Sequence, residues 1–243
     1  MSKRAIVTVS AGGAFQPLMG RLLVACSEFT DAPVYGWSEV SPPGSPEHSK
    51  SLYAFKGYAM KQVMDRYDPD LILWMDAAVY PIACMEPLWE KIERDGHYFQ
   101  NNGFLLGEWS SDRALHNLGI EREPAFQIKE IAAMTYGLDL RRDEGRSFVD
   151  DLFRFSSDGS TCGTALMNDN GLAEKRGFYN PNRGVAHLSD DPRVMGHKAD
   201  QAICSFLAWK RGWEPLDRPE FVDYKSSWDQ IHDPRTLLLN QGA

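Results

Sequence analysis

Leu71-Ile72-Leu73-Trp74-Met75 is an unbroken apolar run of strand length that ends in Asp76, and no other segment constrains the chain as much. A strand that is apolar at every position is covered on both faces, which is the pattern of a central strand in a largely parallel sheet. The residues before Asp76 offer its carboxylate no solvation. Because a buried, unpaired carboxylate is too costly to be idle, Asp76 must face a cleft, a metal, a cation or a hydrogen-bond donor.

The segments around this strand alternate in period. Arg4 to Ser10 is a β-branched run closed by Ala11-Gly12-Gly13, and Ala14 to Phe29 then carries Leu18, Leu22, Leu23 and Cys26 at helical spacing. Pro33 to Trp37 reads as a short strand. The three prolines at 42, 43 and 46 make the next stretch a loop. Tyr53 to Tyr67 is a helix with Phe55, Ala59, Met60, Val63 and Met64 on one face, stopped by Asp68-Pro69-Asp70. A helix over 87–94 and a strand over 98–101 complete the unit. Beyond Gly103 the reading is mainly helical, over 125–136 and 147–155, with a strand over 162–167. A final helix spans 200–209, with Gly212 as its stop. Strand and helix alternation predicts an α/β fold: a single Rossmann-like domain over 1–243, with a central, mostly parallel sheet flanked by helices. Ligands are expected at the C-terminal strand ends, which would gather Ser10, Gly12 and Asp76.

A chain of 243 residues buries roughly 70–75% of its unfolded surface, enough for one core without staples. No stretch approaches the ~18 apolar residues of a membrane span, and the run after Lys3-Arg4 is too short for a signal peptide, so the expected setting is cytoplasmic, without a membrane partner. Cys26, Cys84, Cys162 and Cys204 lie far apart in apolar settings and read as free buried thiols. A net charge of −8 argues against non-specific nucleic-acid binding. The one basic cluster, Arg141, Arg142 and Arg146, is interleaved with Asp139, Asp143 and Glu144 and reads as a solvated helix end.

An apolar strand ending in Asp also occurs in ATPases, but no GxxxxGK[ST] accompanies this one. Ser10-Ala11-Gly12-Gly13-Ala14-Phe15 does not spell the dinucleotide GxGxxG. Three elements in order instead resemble the GT-A-type glycosyltransferases. Asp76-Ala77-Ala78-Val79 is similar to their strand-borne DxD region. Tyr53-Ala54-Phe55-Lys56-Gly57-Tyr58-Ala59 looks like the aromatic and lysine segment ahead of it, and His197-Lys198-Ala199-Asp200-Gln201 looks like the element that opens a late helix.

The resemblance implies transfer of a sugar from a UDP- or GDP-sugar to an acceptor. Residues 1–102 would form the nucleotide-binding part and 103–243 the acceptor part. Thr8, Ser10, Lys56 and Asp76 would bind the donor. Asp200 and Gln201 would be catalytic, with Asp200 deprotonating the acceptor if the anomeric centre inverts. Trp109 and His197 would contact sugar. A divalent cation, Mn²⁺ or Mg²⁺, would sit on Asp76, with His187, His232 or Asp200 as a second ligand. Ala78 departs from the family at the position of the usual metal ligand. A metal-free site neutralised by Lys56 or an arginine therefore stays open, as do a binding module of the same fold without turnover and a metal-dependent hydrolase.

Overall fold

The computed structural model describes residues 2–10, 15–48, 50–163, 188–217, 221–223 and 235–240. Its centre is a five-stranded sheet with the order β2-β1-β3-β8-β5, built from β1 (Arg4–Ser10), β2 (Val34–Ser38), β3 (Leu71–Met75), β5 (His97–Tyr98) and β8 (Thr135–Asp139). β1 runs parallel to both β2 and β3, and β8 is antiparallel to both β3 and β5. Four strands thus share one direction and only β8 opposes them.

Side-chain alternation along these strands splits the core in two. Ala5, Val7, Val9, Ile72, Trp74, Tyr136 and Leu138 face one layer of helices: α2 (Phe55–Tyr67), α6 (Asp143–Ser157) and α7 (Ala199–Lys210). Ile6, Leu71, Leu73 and Met75 face the other, with α1 (Gln16–Phe29) and α3 (Glu86–Asp95). Every residue of β3 is buried, as its composition requires. Gly57 lets α2 and α6 approach closely, because a Cβ there would lie 2.5 Å from Ser156 Oγ and 2.9 Å from the Leu152 carbonyl oxygen.

The chain passes from β1 to β2 through α1 on one face, and from β2 to β3 through α2 on the other. In open sheets of this kind ligands bind outside the C-terminal strand ends, where the connections change face. Asp76 stands at that point. Beyond it, β4 (Val79–Pro81) joins a small sheet with β9 (Val222–Asp223) and β10 (Leu238–Asn240).

The region after Gly103 departs most from its sequence reading. The expected helix over 125–136 is instead a short turn, α5 (Arg122–Ala125), followed by β7 (Lys129–Ile131) and β8. A short apolar run does not distinguish strand from helix by period, and β8 takes its identity from β3 and β5 on either side of it. The expected strand near 98–101 is divided between β5 and β6 (Asn101–Leu105), which pairs with β7 in a separate ribbon. α4 (Asp112–Leu118) follows β6, after a single 3₁₀ turn at Leu106–Glu108. Cys162 and Gly163 are not in a strand, and the rest of the strand expected over 162–167 lies outside the described residues.

Gly212 stands just beyond α7 at φ 70°, the left-handed stop expected of it. Cys26, Cys162 and Cys204 are free and buried; Cys84 is free but exposed, against expectation. Arg141, Arg142 and Arg146 are engaged by Asp139, Glu93 and Asp68. Among the described residues no helix is long and apolar enough to cross a membrane.

Candidate functional site

Asp76 follows Trp74 on the α2 face of the sheet, two residues further along the strand. Its Oδ1 accepts a 2.8 Å hydrogen bond from Trp74 Nε1 and lies 2.9 Å from Lys56 Nζ. About a third of the side chain (33%) remains exposed, so the carboxylate is anchored at one oxygen and still reachable. The backbone holds the position as well: Asp76 N–H donates to the Met134 carbonyl, and Val79 N–H donates to the Asp76 carbonyl.

Lys56, in the first turn of α2, is buried. Its ammonium donates to the Ala133 carbonyl at 2.8 Å and forms ion pairs with Asp76 Oδ1 and, at 2.8 Å, with Asp200 Oδ2. Three oxygens thus surround the ammonium, the Ala133 carbonyl by a hydrogen bond and the two carboxylates as ion pairs. Burial works against the charged ammonium, but Asp200 and then Asp76 more than reverse that, and its pKa rises. For Asp200, buried in the first turn of α7, burial pushes the pKa up while Lys56 pulls it down. Lys56 is therefore the fixed centre of a carboxylate–ammonium–carboxylate row and is only 2% exposed. At that burial the expected donor contact would pass through the Asp76 carboxylate, which Lys56 holds. Asp200 likewise faces the ammonium, which is no arrangement for a free general base.

The approach to this row is strained. Tyr53 stands at φ 55° and Ala199 at φ 21°, conformations that side-chain-bearing residues adopt at a cost and that gather at functional sites. Tyr53 N–H donates to His48 Nδ1, and its ring lies 5.3 Å from Lys56 Nζ.

Thr8 and Ser10 lie on the opposite face. In β1 it is Val9 that shares the face of Asp76, while Thr8 packs towards Gly36 and Met19 of α1. Both hydroxyls are buried without a partner among the described residues. Ser10 is the last residue of its strand, opposite Ser38 of β2, whereas Thr8 is a step deeper, opposite Gly36. Gly12 lies outside the described residues, as do His187 and His232, the histidines considered as second metal ligands.

Trp109, expected in a polar loop, is only 4% exposed. It packs with Phe104 and Met195, and its ring centroid is 4.2 Å from Lys198 Nζ. His197 is buried, and its Nδ1 accepts the Ser111 N–H at 3.4 Å. The Nε2 proton then faces the Cys162 and Thr161 carbonyls at 3.0 and 3.1 Å. Both ring nitrogens are thus spent on backbone, and His197 ties the end of the α6 loop to the start of α7 instead of facing a sugar. Gln201 is half-buried, with Oε1 accepting from Asn102 Nδ2 at 2.9 Å.

Burial holds the His197 imidazole at about 4, below its ordinary 6.5. Between those values the folded protein binds fewer protons than the unfolded chain, so the stability linked to the neutral ring is present above 6.5 and is lost as pH falls through 4. Thermal midpoints of His197→Asn are expected to decline less than those of the native protein over that window. The difference between the two curves isolates His197 from Glu130, whose carboxyl burial pushes up to about 7 and whose contribution has the opposite sign. Parallel curves would assign the acid sensitivity elsewhere.

Sequence reasoning passed over Glu130, Asn102 and Lys198. Glu130 is fully buried on β7, with Oε2 accepting from Asn102 Nδ2 at 2.6 Å and from Lys198 Nζ at 3.0 Å. Burial is what raises its carboxyl, against the lowering effect of Lys198 and Asn102. No sequence signal marked it, since the segment carrying it reads as helix.

Among the described residues no group of three or more His, Cys, Asp and Glu is arranged to hold a metal ion. Ala78 has no ligating side chain, Asp76 Oδ1 is already engaged, and Asp200 is turned to Lys56. This donor set does not by itself fit a divalent cation.

No family model matches the sequence, and no curated protein matches it. Solved structures do. A glycosyltransferase involved in the glycosylation of the major capsid of PBCV-1 aligns over 98% of this chain and 91% of its own, at 10% identity and a TM-score of 0.46. Mouse xyloside xylosyltransferase 1 in its apo form aligns over 98% and 97%, at 10% identity and 0.49. The WbbM bifunctional glycosyltransferase, also apo, aligns over all of this chain at 9% identity and 0.55. The chain spans about half of that protein, 46%. This last likeness speaks for the fold alone, and the fold is of the GT-A-like glycosyltransferase kind.

Proposed function

We propose that this chain, which has the fold of a glycosyltransferase, moves a sugar from a nucleoside diphosphate sugar to a hydroxyl-bearing acceptor. The observation that carries the reading is Asp76. It is a half-open carboxylate at the switch point of the sheet, locked at one oxygen by Lys56 and Trp74 and free to meet a ligand with the rest.

In this reading Asp76 accepts hydrogen bonds from hydroxyls of the donor, and Ser10 at the tip of β1 meets the nucleotide. Lys56 is a positioning residue that fixes Asp76 on one side and Asp200 on the other. Gln201, on the same first turn of α7 as Asp200, offers its amide to the transferred sugar. Residues 1–102 serve the donor and 103–243 the acceptor. Departure of the diphosphate develops negative charge that must be met by oriented donors or cations.

Calorimetric titration with UDP, GDP and CMP, each with Mn²⁺ and with EDTA, tests the reading. Saturable binding of one nucleotide, with slow release of that nucleotide from its sugar donors, is the expected outcome. The absence of binding by any of them in either buffer would sink it. Ala78 supports a second reading, a binding module that has lost turnover. Binding without release across an acceptor panel would favour that alternative.

A further inference from the structure

Among the buried polar atoms without a hydrogen-bond partner in the described residues, Glu130 Oε1 and Trp109 Nε1 belong to two side chains that both approach Lys198. Lys198 Nζ is 3.0 Å from Glu130 Oε2, 4.2 Å from the Trp109 ring centroid and 4.3 Å from that of Phe104. A lone acceptor and a lone donor thus sit on two side chains that share one cation, beside two aromatic faces. The rim is made by Lys198, Asn102 and Gln201, all half-buried and linked by hydrogen bonds through Glu130 Oε2 and Gln201 Oε1.

Leaving a buried polar atom without a partner costs on the order of 1–3 kcal/mol, so two such atoms in one cluster point to something the native protein binds there. The missing partner must donate to a carboxylate oxygen, accept from an indole N–H and tolerate ring faces. A sugar hydroxyl meets all three demands, since it both donates and accepts, and the sugar's C–H surface suits an aromatic wall.

The position suits the neighbouring site. Glu130 is three residues before Ala133, whose carbonyl holds Lys56, and three residues span at most about 11 Å. Lys198 comes two residues before Asp200, so both ends of the cluster are joined to the Asp76–Lys56–Asp200 row.

We propose that Glu130, Lys198 and Trp109 form the subsite for the acceptor sugar, with ring hydroxyls of a pyranoside donating to Glu130 Oε1 and accepting from Trp109 Nε1. This rests on the glycosyl-transfer reading and adds the recognition of its second substrate. Lys198 covers the subsite and keeps Glu130 ionised in part. Asn102 and Glu108 are the other polar groups that act on that carboxyl, Glu108 opposing its ionisation.

Ligand-observed NMR on the full chain tests the proposal with methyl glycosides of glucose, galactose, mannose, xylose and N-acetylglucosamine, with and without UDP or GDP. At least one glycoside is expected to bind saturably. Glu130→Gln should weaken it about tenfold or more, the equivalent of one hydrogen bond to a charged group, with nucleotide affinity unchanged. Lys198→Arg, which keeps a cation beside the buried Glu130 carboxylate but changes the shape of the head group on the rim, should also weaken the glycoside and leave the thermal midpoint in place; it decides the matter if Glu130→Gln does not fold. A nucleotide that binds while no glycoside does would overturn the subsite but leave the donor reading intact. So would glycoside binding that both variants keep. Glycoside binding lost in the variants, in a protein that binds no nucleotide, would uphold the subsite and refute the donor reading. A protein that binds neither refutes both.

Discussion

Asp76→Asn is expected to reduce nucleotide-sugar binding by about 10- to 100-fold, the loss of one hydrogen bond to a charged group, while shifting the thermal midpoint by only a few degrees. The two effects separate because of how Asp76 is held. Asparagine keeps the shape and one carbonyl oxygen, so Trp74 Nε1 retains an acceptor. Lys56 retains Asp200 and the Ala133 carbonyl, so its charge is still met in the interior. What disappears is the negative charge on the open side of the group. Calorimetry with the nucleotide sugar and a melting curve on the same sample decide it. Unaltered affinity would remove Asp76 from the donor site, and a collapse of the midpoint would make it a structural acid.

Lys56→Met is expected to do the reverse and unsettle the fold. Removing one partner of a buried ion pair leaves an uncompensated charge, typically worth about 3–5 kcal/mol, or roughly 6–20 °C in a domain of this size. Here the ammonium lies between two carboxylates, and the buried Asp200 would be left with a neutral thioether in its place. The double variant Lys56→Met/Asp200→Asn should recover a large part of the loss, since the stranded charge is then gone. A single variant that melts with the native protein, or a double variant no better than the single, would refute the account of Lys56 as the compensating centre of the row.

Much of this architecture is legible one residue at a time. β3 is apolar at every position because it is covered on both faces, and Asp76 is conspicuous as the first polar residue after it. α2 and α7 announce themselves by apolar faces and by stops, Asp68 in the left-handed region and Gly212 just beyond Arg211. The segment from Ala125 to Tyr136 misleads for a physical reason. Ala132-Ala133-Met134 has good helix propensity, but β3 and β5 offer Thr135–Asp139 backbone partners on both sides, and that pairing outweighs local preference. The carbonyls of Ala133 and Met134, freed from any helix, are the ones that accept from Lys56 and Asp76.

The chemistry divides in the same way. Asp76, Lys56 and Asp200 stand out by residue type and context, because charge next to an apolar stripe must be met by something. Which groups meet it depends on distances between residues 20 to 144 positions apart, and periodicity carries no such information. That Thr8 faces away from Asp76, that both nitrogens of His197 are spent on backbone, and that Trp109 is covered all follow from strand register and helix docking. Glu130 is the extreme case: an ordinary acid in a chain of ordinary charge until β7 is paired and α7 closes over it. The sequence by itself determined the alternating elements, the buried central strand and the acid at its tip, because hydrophobic patterning is local. The tertiary structure alone decided which charges face one another, because burial and ion pairing exist only once distant segments exclude water together.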